Sequence, residues 1–358
     1  MTIDELLRLR LYNQQISHHP SETPEQVVSW MCAMQAQDYA GAKWSIGLRM
    51  PGKKETDIDD AIAKKAIVRT WPMRGTLHFV AADDVRWLLK LLTPRIISGT
   101  AGRRRQLELD ENALNKSRDV ITRALEGGKQ MMRSEVYALL EANGISAGEQ
   151  RGIHIINHLA QKQVISHGIH NDKQPTYVLL DEWIPSSKNL EGEAALSELA
   201  LRYFRSHGPA TLNDFVWWSG LRISDARLGL NSASDLLEKI ELNDKIFWLN
   251  PDHPPLGELE SAYLLPGFDE YMLGYTDRTL ILDTQHASKI VPGNNGMFMP
   301  TIVVNGKVEG LWKKALKRDQ ISIEIFPFGK ITNAKMKAII SRAKDYGHYL
   351  DKIATLSN

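Results

Sequence analysis

The feature that most constrains this chain is a layout that recurs three times: short amphipathic helices followed by two extended segments closed by a turn. In the first copy, helical spacing covers residues 2–17, 23–38, 42–50 and 56–65. Residues 67–80 then turn β-branched and aromatic, and Pro72 and Gly75 break them into a hairpin. The second copy reads as helices over 112–125, 134–142 and 151–162, then a hairpin over 164–180 around His170-Asn171-Asp172-Lys173. The third has helices over 193–207, 211–218 and 223–230, the last two joined at Gly220, with 236–249 supplying a helix edge and a strand. Past Pro254-Pro255 the texture becomes strand-like over 264–282, 299–312 and 321–328. There Val304-Asn305-Gly306-Lys307-Val308 is the sharpest hairpin signal, and an amphipathic helix over 333–350 closes the chain. The fold class expected is α+β, mainly helical: three tandem winged-helix units with a C-terminal β-containing segment. The boundaries follow as 1–93, 94–185, 186–255 and 256–358.

The chain has 358 residues, 43% hydrophobic, enough for several cores. It lacks a long apolar run, and its first helix is charged from Asp4 onward, which does not read as a signal peptide. A cytoplasmic, nucleoid-associated monomer with no membrane partner is therefore expected. One cysteine excludes an intrachain disulfide, and Cys32, beside Met31 in a predicted helix, reads as a small core residue. The formal charge of +1 means that any polyanion must be held by a local patch.

The second predicted helix is the best signalled. Thr23 is its N-cap, Pro24 takes the first helical position and Gln26 closes a capping box. Val27, Trp30, Met31 and Met34 form its apolar stripe. At about 100° per residue Asp38 returns to that stripe, with Gln35 and Gln37 on its two margins. Buried polar groups need partners, so this cluster either anchors a neighbouring backbone or lines a cleft. The anchor is the commoner use of a core amide.

Other candidates for chemistry are few. The eleven histidines lack metal-ligand spacing, and neither a glycine-rich phosphate loop nor a serine elbow occurs, so no cofactor is expected. Arg103, Arg104 and Arg105 read as a basic linker after Pro94, and Lys313-Lys314 with Lys317-Arg318 forms a second basic stretch. Each serves equally as a phosphate contact or as a solvated face. The run from Arg69 to His78, which includes Arg74, and the run from Leu264 to Arg278 pack charged and aromatic residues closely. An internal network of ion pairs and hydrogen bonds is the favoured reading of either run.

Four pieces in order carry a resemblance: Met34-Gln35-Ala36-Gln37-Asp38, Arg74-Gly75-Thr76-Leu77-His78, the 264–278 run, and Val304-Asn305-Gly306-Lys307-Val308 followed by Gly310-Leu311-Trp312-Lys313. Together they resemble the AlkZ-like DNA glycosylases, including the YcaQ branch, of the tandem winged-helix superfamily. Gln35-Ala36-Gln37 matches the double-glutamine form of that family's signature rather than the glutamine/aspartate form. The resemblance implies a monofunctional glycosylase acting on double-stranded DNA that carries bulky or crosslinked N7-alkylpurines. It implies Gln35 and Gln37 as catalytic residues, with Asp38 adding negative charge or anchoring backbone. Arg74, His78, Arg103, Arg104, Arg105, Lys313 and Lys314 are then the candidates for DNA contact. The rivals are a winged-helix protein that binds DNA without cutting it, and a scaffold for other partners.

Overall fold

A computed structural model describes residues 1–172, 174–253 and 262–357. In chain order it begins with α1 (Ile3–Asn13), α2 (Pro24–Met31), β1 (Met34–Gln35), α3 (Tyr39–Gly47) and α4 (Glu55–Ala63). β2 (Ile67–Met73), β3 (Thr76–Ala81), α5 (Val85–Gly99), α6 (Ala101–Gln106) and α7 (Glu111–Leu125) follow. Then come β4 (Met131–Met132), α8 (Arg133–Ala142), α9 (Arg151–Gln161), β5 (Ile165–His167), β6 (Thr176–Leu179) and α10 (Leu180–Trp183). The chain continues through α11 (Gly192–His207), α12 (Leu212–Ser219), α13 (Ile223–Ala233), β7 (Glu238–Leu242) and β8 (Lys245–Leu249). It ends with β9 (Ala262–Leu265), α14 (Glu270–Leu273), α15 (Ala287–Ile290), β10 (Thr301–Val304), β11 (Lys307–Leu316), β12 (Gln320–Pro327), α16 (Asn333–Tyr349) and β13 (Ile353–Ser357). This is the expected α+β class. Among the described residues, no helix is long and apolar enough to cross a membrane.

The chain forms two compact units, one of Met1–Asp59 with Leu196–Asn358, the other of Asp60–Ala195. In the first, β13-β12-β11-β10-β9 make a five-stranded sheet, antiparallel except for the parallel β12–β13 pair. Its core joins distant stretches: Leu6, Leu7, Leu11 and Ile16 pack with Phe247, Leu265, Tyr271, Ile281, Val303 and Val308. The β10–β11 turn is the hairpin expected at Asn305-Gly306, both at positive φ (49° and 83°) as a tight two-residue turn requires. Gly306 is also obligatory for space, since an added Cβ there would lie 2.6 Å from that of Leu7.

The second unit buries Ile121, Leu125, Val136, Leu140, Ile155, Ile156 and Ile165 around α7, α8 and α9. The expected hairpins appear as β2–β3 and β5–β6. Of the expected β5–β6 tip, Lys173 lies outside the described residues, as does the Pro254-Pro255 boundary.

Three expectations about elements need correction. The stretch over 236–249 is a full hairpin, β7–β8, rather than a helix edge and one strand. The stretch over 264–282 is strand only at β9, and the remainder turns through α14. Arg103, Arg104 and Arg105 stand in the short helix α6 instead of a linker, because Pro94 is accommodated inside α5.

Candidate active site

The helix that carries the motif stops early. Gln26 does reach back, its Oε1 accepting the Glu22 and Thr23 N–H groups at 2.8 and 3.3 Å, while the Thr23 hydroxyl makes no hydrogen bond. The helix then ends at Met31, seven residues short of Asp38. Cys32 takes φ 66° and ψ −49°, and the Ala33 N–H donates to the Met31 carbonyl at 2.8 Å. That is a γ-turn of the rare positive-φ kind, a strained conformation for a residue with a side chain. Met34 and Gln35 follow as β1. So Cys32 lies past the helix, and Gln35, Gln37 and Asp38 are not on it. The reason is tertiary: Met31 to Ala36 are buried all round, Gln35 being the most exposed at 9%, and a segment without a solvated side has no amphipathic face to present.

The change of backbone alters what the motif can do. On a helix, side chains two apart point nearly oppositely, whereas an extended segment repeats every two residues. Gln35 is buried, and its Oε1 has no hydrogen-bond partner. Gln37, at the bend that follows, and Asp38 are exposed. Asp38 is the N-cap of α3, its carbonyl accepting the Ala42 N–H at 2.8 Å. Its carboxylate makes no cap hydrogen bond and lies over Gly41, where an added Cβ would come within 2.5 Å of Oδ2.

Behind β1 stands a buried polar network drawn from the 264–278 run, as the favoured reading of that run expects. Asp269 is paired with Arg49 at 2.9 and 3.2 Å and also accepts from the Ser45 hydroxyl and the Tyr271 N–H. Arg49 donates in turn to the carbonyl and side-chain oxygens of Gln14. The neighbouring Glu270 is fully buried: its Oε1 accepts the Gln35 N–H at 2.8 Å and its Oε2 the Trp218 indole N–H at 2.9 Å. The His207 Nε2 lies 3.5 Å from the same Oε2, and its Nδ1 is 2.8 Å from the Ser206 hydroxyl. Burial lowers the pKa of His207, and the Glu270 carboxylate opposes that shift. Sequence reasoning missed Glu270, Trp218 and His207 as neighbours of the motif. An acidic pair bracketed by Gly267 and Gly274 was the available signal: a Cβ at Gly274 would meet the His207 ring at 2.7 Å.

The basic candidates fall in different settings. In the first unit Lys313 is exposed, its ammonium 5.1 Å over the Phe326 ring. Lys314 turns its amine back onto the Tyr346 hydroxyl, and burial lowers its pKa although Asp38 and Glu55 oppose the change. In the second unit Arg74 and Gly75 are the two-residue turn of β2–β3, at φ 53° and 72°. His78 is fully buried, with Nδ1 2.9 Å from the Thr76 carbonyl oxygen and Nε2 3.5 Å from an Arg74 nitrogen. On α6 the three arginines diverge as helical spacing requires. Arg104 folds back to donate to the Ile97 carbonyl (2.8 Å) and the Thr100 hydroxyl (2.7 Å), while Arg103 and Arg105 are exposed. Among the described residues, no group of three His, Cys, Asp or Glu side chains is placed to hold a metal ion.

The chain is similar to known proteins. The "Interstrand DNA cross-link repair glycosylase" of Streptomyces sahachiroi is 23% identical over 352 residues, covering 93% of this chain and 92% of that protein. The structure solved as "Streptomyces sahachiroi DNA glycosylase AlkZ" superposes with a TM-score of 0.83 at 20% identity, covering 100% of each chain, so the fold is shared. The family described as "DNA glycosylase AlkZ-like" matches residues 28–349, which run from inside α2 to the end of α16. The chain belongs to the AlkZ-like DNA glycosylase family.

Proposed function

We propose that the protein is a monofunctional DNA glycosylase that hydrolyses the N-glycosidic bond of bulky or crosslinked N7-alkylpurines in duplex DNA. The observation that carries the reading is Gln35: its backbone is fixed by Glu270, while its side-chain oxygen is buried without a partner. An orphaned buried acceptor costs about 1–3 kcal/mol, and it is retained where a ligand or a water supplies the missing donor. An N7-alkylated purine already carries positive charge and departs as a neutral base, so no strong general acid is required. What remains is a water to orient and an oxocarbenium-like sugar to stabilise. The Gln35 oxygen accepts from that water, Gln37 adds a second amide, and the exposed Asp38 carboxylate supplies negative charge near the developing cation. The bond from sugar carbon to purine nitrogen breaks, the water oxygen bonds to that carbon, and the water's proton passes to solvent. An unmodified purine gains too little from two amides to leave.

DNA is held, on this reading, by winged helices over 1–93, 94–185 and 186–255, with 256–358 as the β-containing segment. Arg74, Arg103, Arg105 and Lys313 contact phosphate, and His78 and Arg104 support their neighbours. Lys314 belongs with Tyr346 rather than with DNA. The relative named for crosslink repair agrees with a bulky lesion.

The test is incubation with a duplex containing one N7-methylguanine and with a nitrogen-mustard crosslinked duplex, followed by alkaline cleavage. Strand scission at the lesion and none at unmodified guanine is expected. Replacing Gln35 or Gln37 by alanine lowers release about tenfold to a thousandfold with DNA affinity unchanged. A protein that binds both duplexes and releases no base is a binding protein, and the glycosylase reading fails.

A further inference from the structure

A backbone N–H can be satisfied by any carbonyl, and most are. Here the N–H of Gln35 is taken by a carboxylate, from a residue 235 positions away, with no surface exposure. Burying a carboxylate is costly unless hydrogen bonds compensate, and a charged acceptor holds its donor more tightly than a neutral one. The adjacent Asp269 pairs with Arg49, and Glu270 faces the indole of Trp218 and the imidazole of His207. Those two rings are themselves locked. Tyr203 stacks on His207 with centroids 4.9 Å apart, Trp218 lies 5.0 Å from Tyr203, and Gly274 lets the His207 ring approach its backbone.

We propose that Glu270 is a positioning residue for base release: its carboxylate, held by the Trp218 indole N–H with the His207 ring beside it, grips the Gln35 backbone and sets where the Gln35 side-chain oxygen stands. This rests on Gln35 acting in catalysis as proposed above. The grip opposes the recoil of the γ-turn at Cys32, three residues upstream, and holds β1 extended instead of letting α2 continue. Asp269 does a separate task, closing the Arg49 network and capping α14, its Oδ1 accepting the Tyr271 N–H at 2.9 Å.

The test is Glu270→Gln. A carboxamide has one acceptor oxygen, so either Gln35 or Trp218 then meets an NH2 group. Single-turnover base release from N7-methylguanine duplex is expected to fall about 10- to 100-fold, the scale of a misplaced catalytic group, with the dissociation constant for DNA unchanged. Trp218→Phe, which leaves the carboxylate in place, shows a smaller loss in the same direction and guards against a folding failure of the first variant. Adding Glu270→Gln to Gln35→Ala produces no further loss, because both act through one oxygen. Full additivity of those two substitutions, or a loss confined to DNA affinity or to melting temperature, overturns the proposal. A second arm needs no activity: hydrogen exchange of the peptide amide of Gln35 is expected to quicken at least tenfold in Glu270→Ala, which removes both acceptor oxygens. Unchanged exchange overturns the grip even where the protein releases base. Quickened exchange in the variant of a parent protein that itself releases no base keeps the grip, sinks the glycosylase reading and removes the catalytic half of the proposal.

Discussion

At the scale of single residues the decisive event is the γ-turn at Cys32. Nothing in Met31-Cys32-Ala33-Met34 announces it, since no glycine, proline or asparagine marks the break and the apolar spacing continues through Met34. The motif's residue types were legible and its backbone was not. Helix propensity is local, whereas this helix is ended by burial on every side and by a carboxylate from residue 270. A positive φ costs a residue with a side chain about 1–3 kcal/mol, and more for a β-branched one. Cys32→Gly, which trades a small buried side chain for relief of that strain, is expected to stay within about 1 kcal/mol of the parent. Cys32→Val should lose about 1–3 kcal/mol and most base release. Equilibrium urea unfolding and the N7-methylguanine assay check both, and parental stability in the Cys32→Val variant would show that the turn is unstrained.

Elements show where sequence chemistry is strong. Both tight hairpins were readable, Asn305-Gly306 from its turn pair and residues 67–80 from Gly75, because positive φ at consecutive positions is a local demand; Pro72, expected to break that segment with Gly75, stands inside β2 instead. The two glycines differ in their surroundings, and that separates their substitutions. At Gly75 an added methyl meets only Ile96 at 3.8 Å, so Gly75→Ala pays backbone strain alone, about 1–2 kcal/mol. At Gly306 it would come within 2.6 Å of the Leu7 Cβ and 3.2 Å of the Tyr271 hydroxyl, so Gly306→Ala should cost clearly more. Thermal melts of the two variants give the comparison, and equal losses would refute the crowding at Gly306. Helix α9 carries a pH dependence. Burial, with Arg104 and Lys162 adding to it, lowers the pKa of His158 to about 4 from an unfolded value of 6.5, and burial depresses His167 in the same direction. Between pH 6.5 and about 4 the unfolded chain therefore binds protons that the folded unit excludes. The stability associated with the neutral rings is whole above pH 6.5 and shrinks as pH falls toward 4. Hydrogen exchange of α9 should speed on acidification across that window, and His158→Gln should flatten the dependence.

For the whole molecule, a chain with 44 basic and 43 acidic side chains offers no general attraction to a polyanion, so DNA affinity must come from few contacts. Arg103 and Arg105 are exposed on α6, Arg103 donating to the side-chain oxygens of Gln106 and Gln150, while Arg104 closes on its own helix region. Replacing Arg103 and Arg105 by alanine should reduce the slope of log affinity against log salt by roughly two, at about 0.9 per lost phosphate contact. Arg104→Ala should leave the slope alone and lower the melting temperature. Equal slope changes for all three would restore the single basic patch that the sequence suggested. Helix-and-hairpin segments were legible at this scale because periodicity is local. The union of residues 1–59 with 196–358 was not, since the close approach of Gly306 to Leu7 leaves no mark on either stretch alone. That union also sets a timetable. A ribosome delivers α1 and the Gln35 segment first, yet Glu270, Asp269 and the strand partners of their core emerge more than 200 residues later. Residues 60–195 have their own core and can fold while synthesis continues. The apolar side chains around the motif therefore stay uncovered until the stretch that carries Glu270 and Val303 has been made.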